Sequence, residues 1–406
     1  MSLLTLVSLA SAALGWPSPV AALDAPPPSA PRPLATCEPD GTQASGAIYR
    51  ICMPPGFPFS LPWNRDLVVY AHGYVAPGKP VGIPEDQLQL PDGTYIPDLV
   101  VLAGYAFATT SYSVNGLAVR EGISDVVDLV NIFRMKQPML DQAYLVGPSE
   151  GGLITTLAVE QYADVFDGGL ALCGPVGDFT KQINYWSDFR VVFDYYFPGL
   201  MPGTAISIPQ TLVDTWDAHY TNTILPVILN PANTITVTQL LSVTQVAYVP
   251  TDTTTISNTI YNLLWYNVIA TNDATTRLGG QPFDNQGRVY SGSNDDAALN
   301  AGVQRFTAAP AAIAEIQAHY QTSGRPLVPL VTQHTTLDPV APVWHEDLYR
   351  ARVIARGMTP RHDDLRVDRY GHCNFQPGEV LAAFGVLQNR VMNPPPFKSF
   401  LPLLTR

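Results

Sequence analysis

The sequence predicts an α/β protein built on a mostly parallel central sheet, and three observations support this fold class. Apolar, β-branched runs alternate with amphipathic helical segments in both outer parts of the chain, an alternation typical of βαβ units. Apolar residues make up 46% of the 406 residues and charged residues only 14%, which excludes a disordered or coiled-coil protein. Residues 176–324 break the alternation and are predicted to form a mainly helical insertion.

The N-terminal part precedes the predicted sheet. Residues 1–22 are predicted to be a signal peptide, because the apolar run from Leu3 to Gly15 is shorter than the roughly 20 residues of a membrane span. Val20-Ala21-Ala22 would supply a small-residue cleavage site. No Lys or Arg precedes the run, so the alternative is an N-terminal helix docked on the domain. Residues 23–36 are Pro-rich and are predicted to be a linker.

The elements of the sheet follow in order. β-Branched and aromatic runs bounded by Gly or Pro predict strands, at residues 47–52, 67–71, 105–111, 143–146, 169–173, 327–332 and 365–367. Apolar residues at helical spacing predict helices, at residues 96–103, 118–135, 151–162, 343–356 and 379–389. One catalytic domain, residues 37–175 and 325–406, would therefore be interrupted by an inserted cap or lid, residues 176–324.

Charge and motif content exclude several functional classes. With 22 Lys and Arg against 34 Asp and Glu, the net charge is −12, which disfavours binding to nucleic acid or to an anionic membrane surface. No segment after the first can span a bilayer. The sequence contains no phosphate-binding loop, dinucleotide fingerprint or metal-ligand spacing, so neither a cofactor nor a metal is expected. The oligomeric state is not predicted.

A nucleophile motif lies at the centre of the predicted sheet. Gly147-Pro148-Ser149-Glu150-Gly151 matches G-x-S-x-G and falls between a predicted strand and a predicted helix. In such an elbow the serine sits on a strained turn with its hydroxyl exposed, and glycines relieve the crowding on either side. The alternative is a glycine-rich turn that only packs a helix onto a strand.

With this motif the chain resembles the α/β-hydrolase superfamily, over most of residues 45–390. In that family the nucleophile is followed along the chain by an acid and then by a histidine, each on a loop after a later strand. The resemblance implies Asp338 as the acid, after the strand at 327–332, and His372 as the base, after the strand at 365–367. It places the helical cap after the strand that follows the nucleophile helix.

Other residues compete for these roles. Asp363, Asp364 and Asp368 are alternative acids, although they precede the base by only a few residues and are expected in a solvated turn. Four further histidines are alternative bases. His345 and His362 are expected at the surface near helix ends, and His219 and His319 belong to the cap or its exit. His334 lies close to Asp338 and is expected to be structural.

The resemblance also implies an oxyanion hole. His72-Gly73-Tyr74 follows an early strand and is similar to the oxyanion segment of many esterases of the family. By this similarity the donors are the backbone N–H groups of Tyr74 and Glu150. His72 would then be a structural anchor rather than a base. The alternative is an ordinary tight turn after the strand.

The four cysteines suit an oxidising compartment, and without Cys-x-x-Cys a structural zinc site is disfavoured. Cys37 and Cys52 flank a turn-rich stretch and could staple the N-terminal strand. Cys373 directly follows the proposed base, a placement similar to the tannase and feruloyl-esterase branch, where a bridge joins the nucleophile and histidine loops. Pro148 precedes Ser149 here, so the implied partner of Cys373 is Cys173. The alternative is four buried thiols.

These expectations predict a secreted serine esterase that cleaves apolar, aryl or polyester-type carboxylic esters through an acyl-enzyme. Aromatic residues cluster at 185–197 and would either line an acyl pocket or simply pack the cap. A serine peptidase of the prolyl-oligopeptidase type is one alternative, although fewer than 70 residues precede the first core strands and leave no room for a propeller. A noncatalytic binding protein with the hydrolase fold is the other.

Overall fold

A single mixed sheet organises the chain in the computed structural model, which describes residues 35–90 and 93–394. The predicted signal peptide and most of the predicted linker lie outside these residues. The strands are β1 Thr36–Cys37, β2 Gly41–Thr42, β3 Ile48–Met53, β4 Asp66–Tyr70, β5 Ala106–Thr110, β6 Gln142–Pro148, β7 Gly168–Leu172, β8 Leu330–Leu337 and β9 His362–Tyr370. Thr36, placed in the linker by the sequence, pairs with Met53 in β1.

Helices connect these strands. The first three and the last two are α1 Ile96–Leu102, α2 Val119–Lys136, α3 Glu150–Gln161, α12 Trp344–Ala355 and α13 Pro377–Met392. Those between β7 and β8 are α4 Phe179–Tyr196, α5 Gln210–Asp214, α6 Trp216–His219, α7 Leu225–Ile228, α8 Thr234–Thr244, α9 Thr253–Arg277, α10 Asp296–Gly302 and α11 Pro310–His319. The predicted helical insertion after the strand that follows α3 is therefore confirmed.

The sheet has the order β1-β3-β5-β4-β6-β7-β8-β9, with β2 also paired to β3. Neighbouring strands along the series β5-β4-β6-β7-β8-β9 are all parallel, whereas β3 runs antiparallel to β5. Every residue of β5 and of β7 is buried, as expected for central parallel strands that are covered on both faces. Because parallel strands end at the same edge, the loops after β4, β6, β8 and β9 converge there.

Two hydrophobic clusters account for most of the packing. One face of the sheet packs on α2 and α3 through side chains such as Leu67, Val69 and Leu145. The insertion has its own core, in which Phe189, Phe193 and Trp216 are buried with residues of α8 and α9. The aromatic cluster at 185–197 thus serves mainly to pack the insertion, which was one of the two interpretations of the sequence.

Two strands differ from their predicted bounds. β9 spans nine residues instead of three, because at the edge of the sheet one face of the strand meets solvent and can carry charge. β8 is shifted to Leu330–Leu337, since the polar run Thr332-Gln333-His334-Thr335, which resembles a loop, is buried in the sheet. Its polar groups find partners that are distant in sequence, among them Glu346.

Within the described part of the chain, no single helix combines the length and apolar character needed to cross a bilayer. A pair of helical segments, Trp216–Ile228 and Pro231–Thr244, meets that requirement only together and is bent by 71°.

Candidate active site

Ser149 occupies a strained turn between β6 and α3. Its backbone has φ 56° and ψ −121°, a conformation that non-glycine residues rarely adopt. A Cβ at Gly147 would overlap the carbonyl oxygen of Gly151, and a Cβ at Gly151 would overlap that of Ala71. Both flanking glycines are therefore required by backbone crowding, and the turn presents the serine side chain at the carboxyl edge of the sheet.

Three side chains from separate loops meet at this edge. Nε2 of His372 lies 2.8 Å from Oγ of Ser149, and Nδ1 lies 2.7 Å from Oδ2 of Asp338. An ionised carboxylate accepts a hydrogen bond from the Nδ1–H group, which leaves Nε2 free to accept the serine proton. Asp338 follows β8 directly and His372 comes two residues after β9, so the loops predicted for these residues are the loops that carry them.

The Asp338 carboxyl is buried, 1% exposed, and fully hydrogen-bonded. Its Oδ1 accepts the amides of Val340 and Ala341 at 2.8 and 3.0 Å. Burial alone would raise the pKa of Asp338, but the facing His372 and His334 imidazoles outweigh it and hold that pKa below its ordinary value. The carboxylate is thus kept charged where it can orient and stabilise an imidazolium.

Behind Asp338 lies a buried pair that sequence reasoning did not identify. His334 Nδ1 is 3.0 Å from Oε1 of Glu346, and Nε2 is 2.6 Å from the Ala341 carbonyl oxygen. Burial lowers the pKa of His334, but the carboxylates of Asp338 and Glu346 overcome it and raise the pKa to about 10. His334 therefore carries positive charge beside the acid, a structural role consistent with the prediction for this residue.

Helix α4 of the insertion fixes the loop that carries Asp338. The Tyr185 hydroxyl donates to the carbonyl oxygen of Pro339 at 2.9 Å. The Gln182 amide and the Trp186 indole donate to the carbonyl oxygen of Val340 at 2.9 and 3.0 Å. Side chains from the insertion thus satisfy the carbonyl groups of this buried loop, and Asp338 is positioned partly by an element distant in sequence.

The His72-Gly73-Tyr74 segment lies against the serine. A Cβ at Gly73 would be 3.4 Å from the Ser149 Cβ. The side chain of Gln87 accepts from the Gly73 amide at 2.7 Å and donates to the Tyr74 carbonyl oxygen at 3.1 Å. Within the described residues, the Tyr74 amide makes no hydrogen bond. Gln87 was not identified from the sequence, since it reaches the segment from a separate element, the short 3-10 helix Glu85–Leu88.

His72 is buried and neutral rather than basic. Burial lowers the pKa of His72 to about 4, and its ring stacks on Tyr112 with the centroids 3.9 Å apart. The Tyr112 hydroxyl also donates to the His72 carbonyl oxygen at 2.9 Å. These contacts suit the anchoring role predicted for His72.

Glu150 is the first residue of α3 and directly follows Ser149, so its amide has no acceptor within the helix. Its carboxyl group is buried against the start of α2, where Oε1 accepts the Ala118 amide at 3.0 Å and Oε2 has no partner among the described residues. Burial raises the pKa of Glu150 to about 8. A neutral carboxyl therefore lies next to Ser149 near neutral pH.

Both predicted cysteine pairs are disulfides, Cys37–Cys52 and Cys173–Cys373. The second joins the residue after β7 to the residue after His372, and Cys373 Sγ lies 3.6 Å from Nε2 of the histidine. Among the described residues, Cys173, His372 and Cys373 form the one cluster of metal-ligating residue types. Their sulfur atoms are bonded to each other, and the imidazole is occupied by Ser149 and Asp338.

Tyr266 of α9 also reaches the site and was missed by sequence reasoning. Its ring lines the cavity that contains Ser149. Burial raises the pKa of Tyr266, and the neighbouring Ser149 side chain works against that rise. The ring stacks on Trp186 at 4.6 Å and packs on Tyr74 at 5.9 Å. No local motif marks this residue, because only the packing of α9 over the serine brings it there.

The competing residues lie elsewhere. Asp363, Asp364 and Asp368 belong to β9 rather than to a solvated turn, and Asp363 pairs with Arg390. His345 and His362 are buried, which corrects the prediction that they are surface residues. His219 and His319 lie in α6 and α11, at the C-terminal end of each helix.

The strand order, the serine turn and the loops after β8 and β9 identify the chain as having the α/β-hydrolase fold. The narrower similarity to the tannase and feruloyl-esterase branch remains a prediction. No protein-family model and no curated protein sequence matches the chain.

Solved structures similar to the chain include esterases and peptidases. The Pyrococcus furiosus esterase Pf2001 has a TM-score of 0.42 and 10% identity, covering 88% of this chain and 90% of its own. The rice cell wall degrading esterase LipA from Xanthomonas oryzae has a TM-score of 0.43 and 12% identity, and the match covers 87% of this chain and 88% of LipA. The Pyrococcus horikoshii acylaminoacyl peptidase has a TM-score of 0.41 and 11% identity, and the match covers 88% of this chain and 41% of the peptidase. The chain therefore spans about two fifths of that peptidase, and identities this low leave the substrate open.

Proposed function

We propose that the protein is a serine hydrolase that cleaves carboxylic esters. The observation that carries this proposal is the continuous hydrogen-bonded series Ser149–His372–Asp338, with contacts of 2.8 and 2.7 Å. A serine hydroxyl is a weak nucleophile unless an adjacent base removes its proton, and a base needs a third group to orient it.

The reaction begins when Ser149 Oγ attacks the ester carbonyl carbon while its proton passes to His372 Nε2. Asp338 stabilises the imidazolium, and the amides of Tyr74 and Glu150 donate hydrogen bonds to the carbonyl oxygen as it gains negative charge. Collapse of the tetrahedral intermediate breaks the bond to the alkoxy oxygen, which takes the proton from His372. The product alcohol leaves, and the acyl group remains on Ser149.

Water completes the cycle. His372 accepts a proton from water as the water oxygen attacks the acyl carbon, and the second tetrahedral intermediate releases the carboxylic acid and restores the serine hydroxyl. The aqueous oxygen is thus incorporated into the acid, and no electron donor or acceptor is needed.

The test is reaction with a fluorophosphonate followed by peptide mapping. We expect one modified serine, Ser149, and we expect Ser149→Ala to lower ester turnover by about three to six orders of magnitude without unfolding the protein. Ser124→Ala, which removes an exposed hydroxyl on α2, is the matched control and should keep full activity. Labelling at another serine, or wild-type turnover by Ser149→Ala, would disprove the proposal.

A serine peptidase would use the same three side chains, so substrate comparison is needed. We expect turnover of aryl esters and none of the matched aminoacyl anilides. The opposite preference would assign the protein to the peptidases, and absence of both activities and of labelling would favour a noncatalytic binding protein.

Export from the cytoplasm belongs to the same proposal. The two disulfides support an oxidising compartment, since cytosolic thiols are normally kept reduced. The sequence of residues 1–22 supports the same location.

A further inference from the structure

An apolar groove leads away from the serine along one face of the sheet. It is a cavity of about 700 Å³ that includes Ser149 and His372 at one end. Side chains of the sheet form its floor, and side chains of α1 and α13 form its two walls. The floor residues are Val68, Val146, Leu170 and Leu172. The wall residues are Leu99 and Val100 of α1 and Val380 and Phe384 of α13. Such a volume is within the range of small-ligand sites, about 300–1,000 Å³.

The arrangement of the two helices explains why the groove exists. Helix α1 packs mainly on β3 and β5, and α13 packs mainly on β7 and β8. The central strands β4 and β6 lie between them, so neither of these two helices packs mainly on this part of the sheet. Since side chains alternate along a strand, Val68 and Val146 face the groove while their neighbours Leu67 and Leu145 face α2 and α3.

The length of the groove can be estimated from strand β6, which runs along its floor and ends just before Ser149. Tyr105 and Phe384 line its far end and pack on the ring of Tyr144 at 6.3 and 5.3 Å. Tyr144 and Ser149 are five positions apart, which at about 3.3 Å per residue is roughly 16 Å. An extended chain advances about 1.2 Å per bond, so the groove accommodates a chain of about twelve atoms. A hydrogen bond between Tyr105 and Gln388 closes the far end.

The lining determines the chemistry of the ligand. Among the residues that the structure describes, the lining contains no Lys or Arg and one carboxylate, that of Asp86, so these residues offer an anionic ligand no opposite charge. A peptide in the groove would also place backbone N–H and C=O groups against the mainly apolar side chains of the floor and walls, where unpaired polar groups are unfavourable. An unbranched alkyl chain satisfies these walls without polar contacts.

We propose that this groove binds the unbranched acyl chain of a neutral ester, up to about twelve carbons long, with the carbonyl carbon presented to Ser149. The inference rests on the proposed esterase function and names its substrate class. The acyl chain lies between α1 and α13 on the hydrolase domain, rather than in the aromatic core of the insertion.

The first test is a series of p-nitrophenyl esters from acetate to laurate at fixed detergent concentration. We expect kcat/KM to rise by up to about fourfold per added methylene, as each becomes buried. Val380→Trp, which fills the groove from α13, should lower the laurate-to-acetate ratio of kcat/KM at least tenfold. Ala382→Trp, on the exposed side of the same helix and outside the lining, should leave the ratio unchanged.

A second test does not depend on catalysis. Calorimetric titration of Ser149→Ala with methyl laurate should give saturable binding, and adding Val380→Trp should weaken it at least tenfold, whereas adding Ala382→Trp should not. A protein that turns over acetate but shows no chain-length preference and no such binding would overturn the groove proposal alone. Binding of methyl laurate by a protein without hydrolase activity would instead retain the groove and reject the esterase function.

Discussion

At the scale of single residues, Glu150 couples the stability of the protein to pH. Its pKa is raised by burial from 4.5 to about 8 in the folded chain. Between these values the folded state holds a proton that the unfolded state has lost, so stability decreases as pH rises through this window. A tenfold difference in proton affinity between the two states is worth about 1.4 kcal/mol.

We therefore expect Glu150→Gln, which mimics the neutral form, to be more stable than the parent by a few kcal/mol at pH 8, but not at pH 4.5. Urea unfolding at several pH values measures the difference. Glu315→Gln, which affects a surface ion pair with Arg120, is the control and should show no such trend. A constant difference between parent and Glu150→Gln across the window would contradict the assignment.

Some residues of the candidate site could be predicted from neighbouring residues in the sequence, and others could not. Ser149 could be predicted because the turn around it is formed by neighbouring residues. The glycines that this turn requires, Gly147 and Gly151, lie two residues to either side of the serine. Glu346 could not, because its role depends on contact with His334, twelve residues away and on another element. A buried polar partner leaves no periodic or spacing signal in the chain.

At the scale of elements, helix α9 of the insertion places the Tyr266 side chain near Ser149. Tyr266 lines the same cavity as Ser149, and stacking on Trp186 holds its ring. A donor fixed there can stabilise charge that develops beside the serine.

We expect Tyr266→Phe, which keeps the ring stacking, to lower kcat for p-nitrophenyl acetate by about tenfold to a hundredfold with a smaller change in KM. The control is Tyr261→Phe on the same helix, whose hydroxyl donates to Asp217 away from the serine. Equal kcat values for parent, Tyr266→Phe and Tyr261→Phe would remove Tyr266 from the proposed mechanism.

Elements were predictable where one physical rule dominated. The buried strands β5 and β7 and the amphipathic helix α2 follow from apolar pattern alone. The bounds of β8 and β9 could not be predicted, because buried polar partners and an exposed edge allow sequences that otherwise resemble loops.

At the scale of the whole molecule, the Cys173–Cys373 disulfide encloses the insertion and ties the histidine loop to β7. It closes a separation of 200 residues, and cross-links over long loops restrict the unfolded chain most. The other disulfide, Cys37–Cys52, closes only 15 residues and joins β1 to β3 at the edge of the sheet.

We expect Cys173→Ser/Cys373→Ser to lose about 2–5 kcal/mol of unfolding free energy and to lower kcat, because His372 is adjacent to the bridge. Cys37→Ser/Cys52→Ser should lose less stability and keep kcat. Denaturant unfolding and ester turnover of the two double variants distinguish these outcomes, and identical kcat values in both would contradict a role of the first bridge in holding the histidine.

The sequence by itself determined the sheet class, the helical insertion, the serine turn and the order of serine, acid and histidine along the chain. These features follow from local spacing and from hydrophobic period, which adjacent residues express. Only the tertiary structure decided that Tyr266 and Gln87 reach the serine segment, that His334 and Glu346 support Asp338, and that a groove opens between α1 and α13. Each of these depends on contacts between elements far apart in the chain, and such contacts arise from packing rather than from any local pattern.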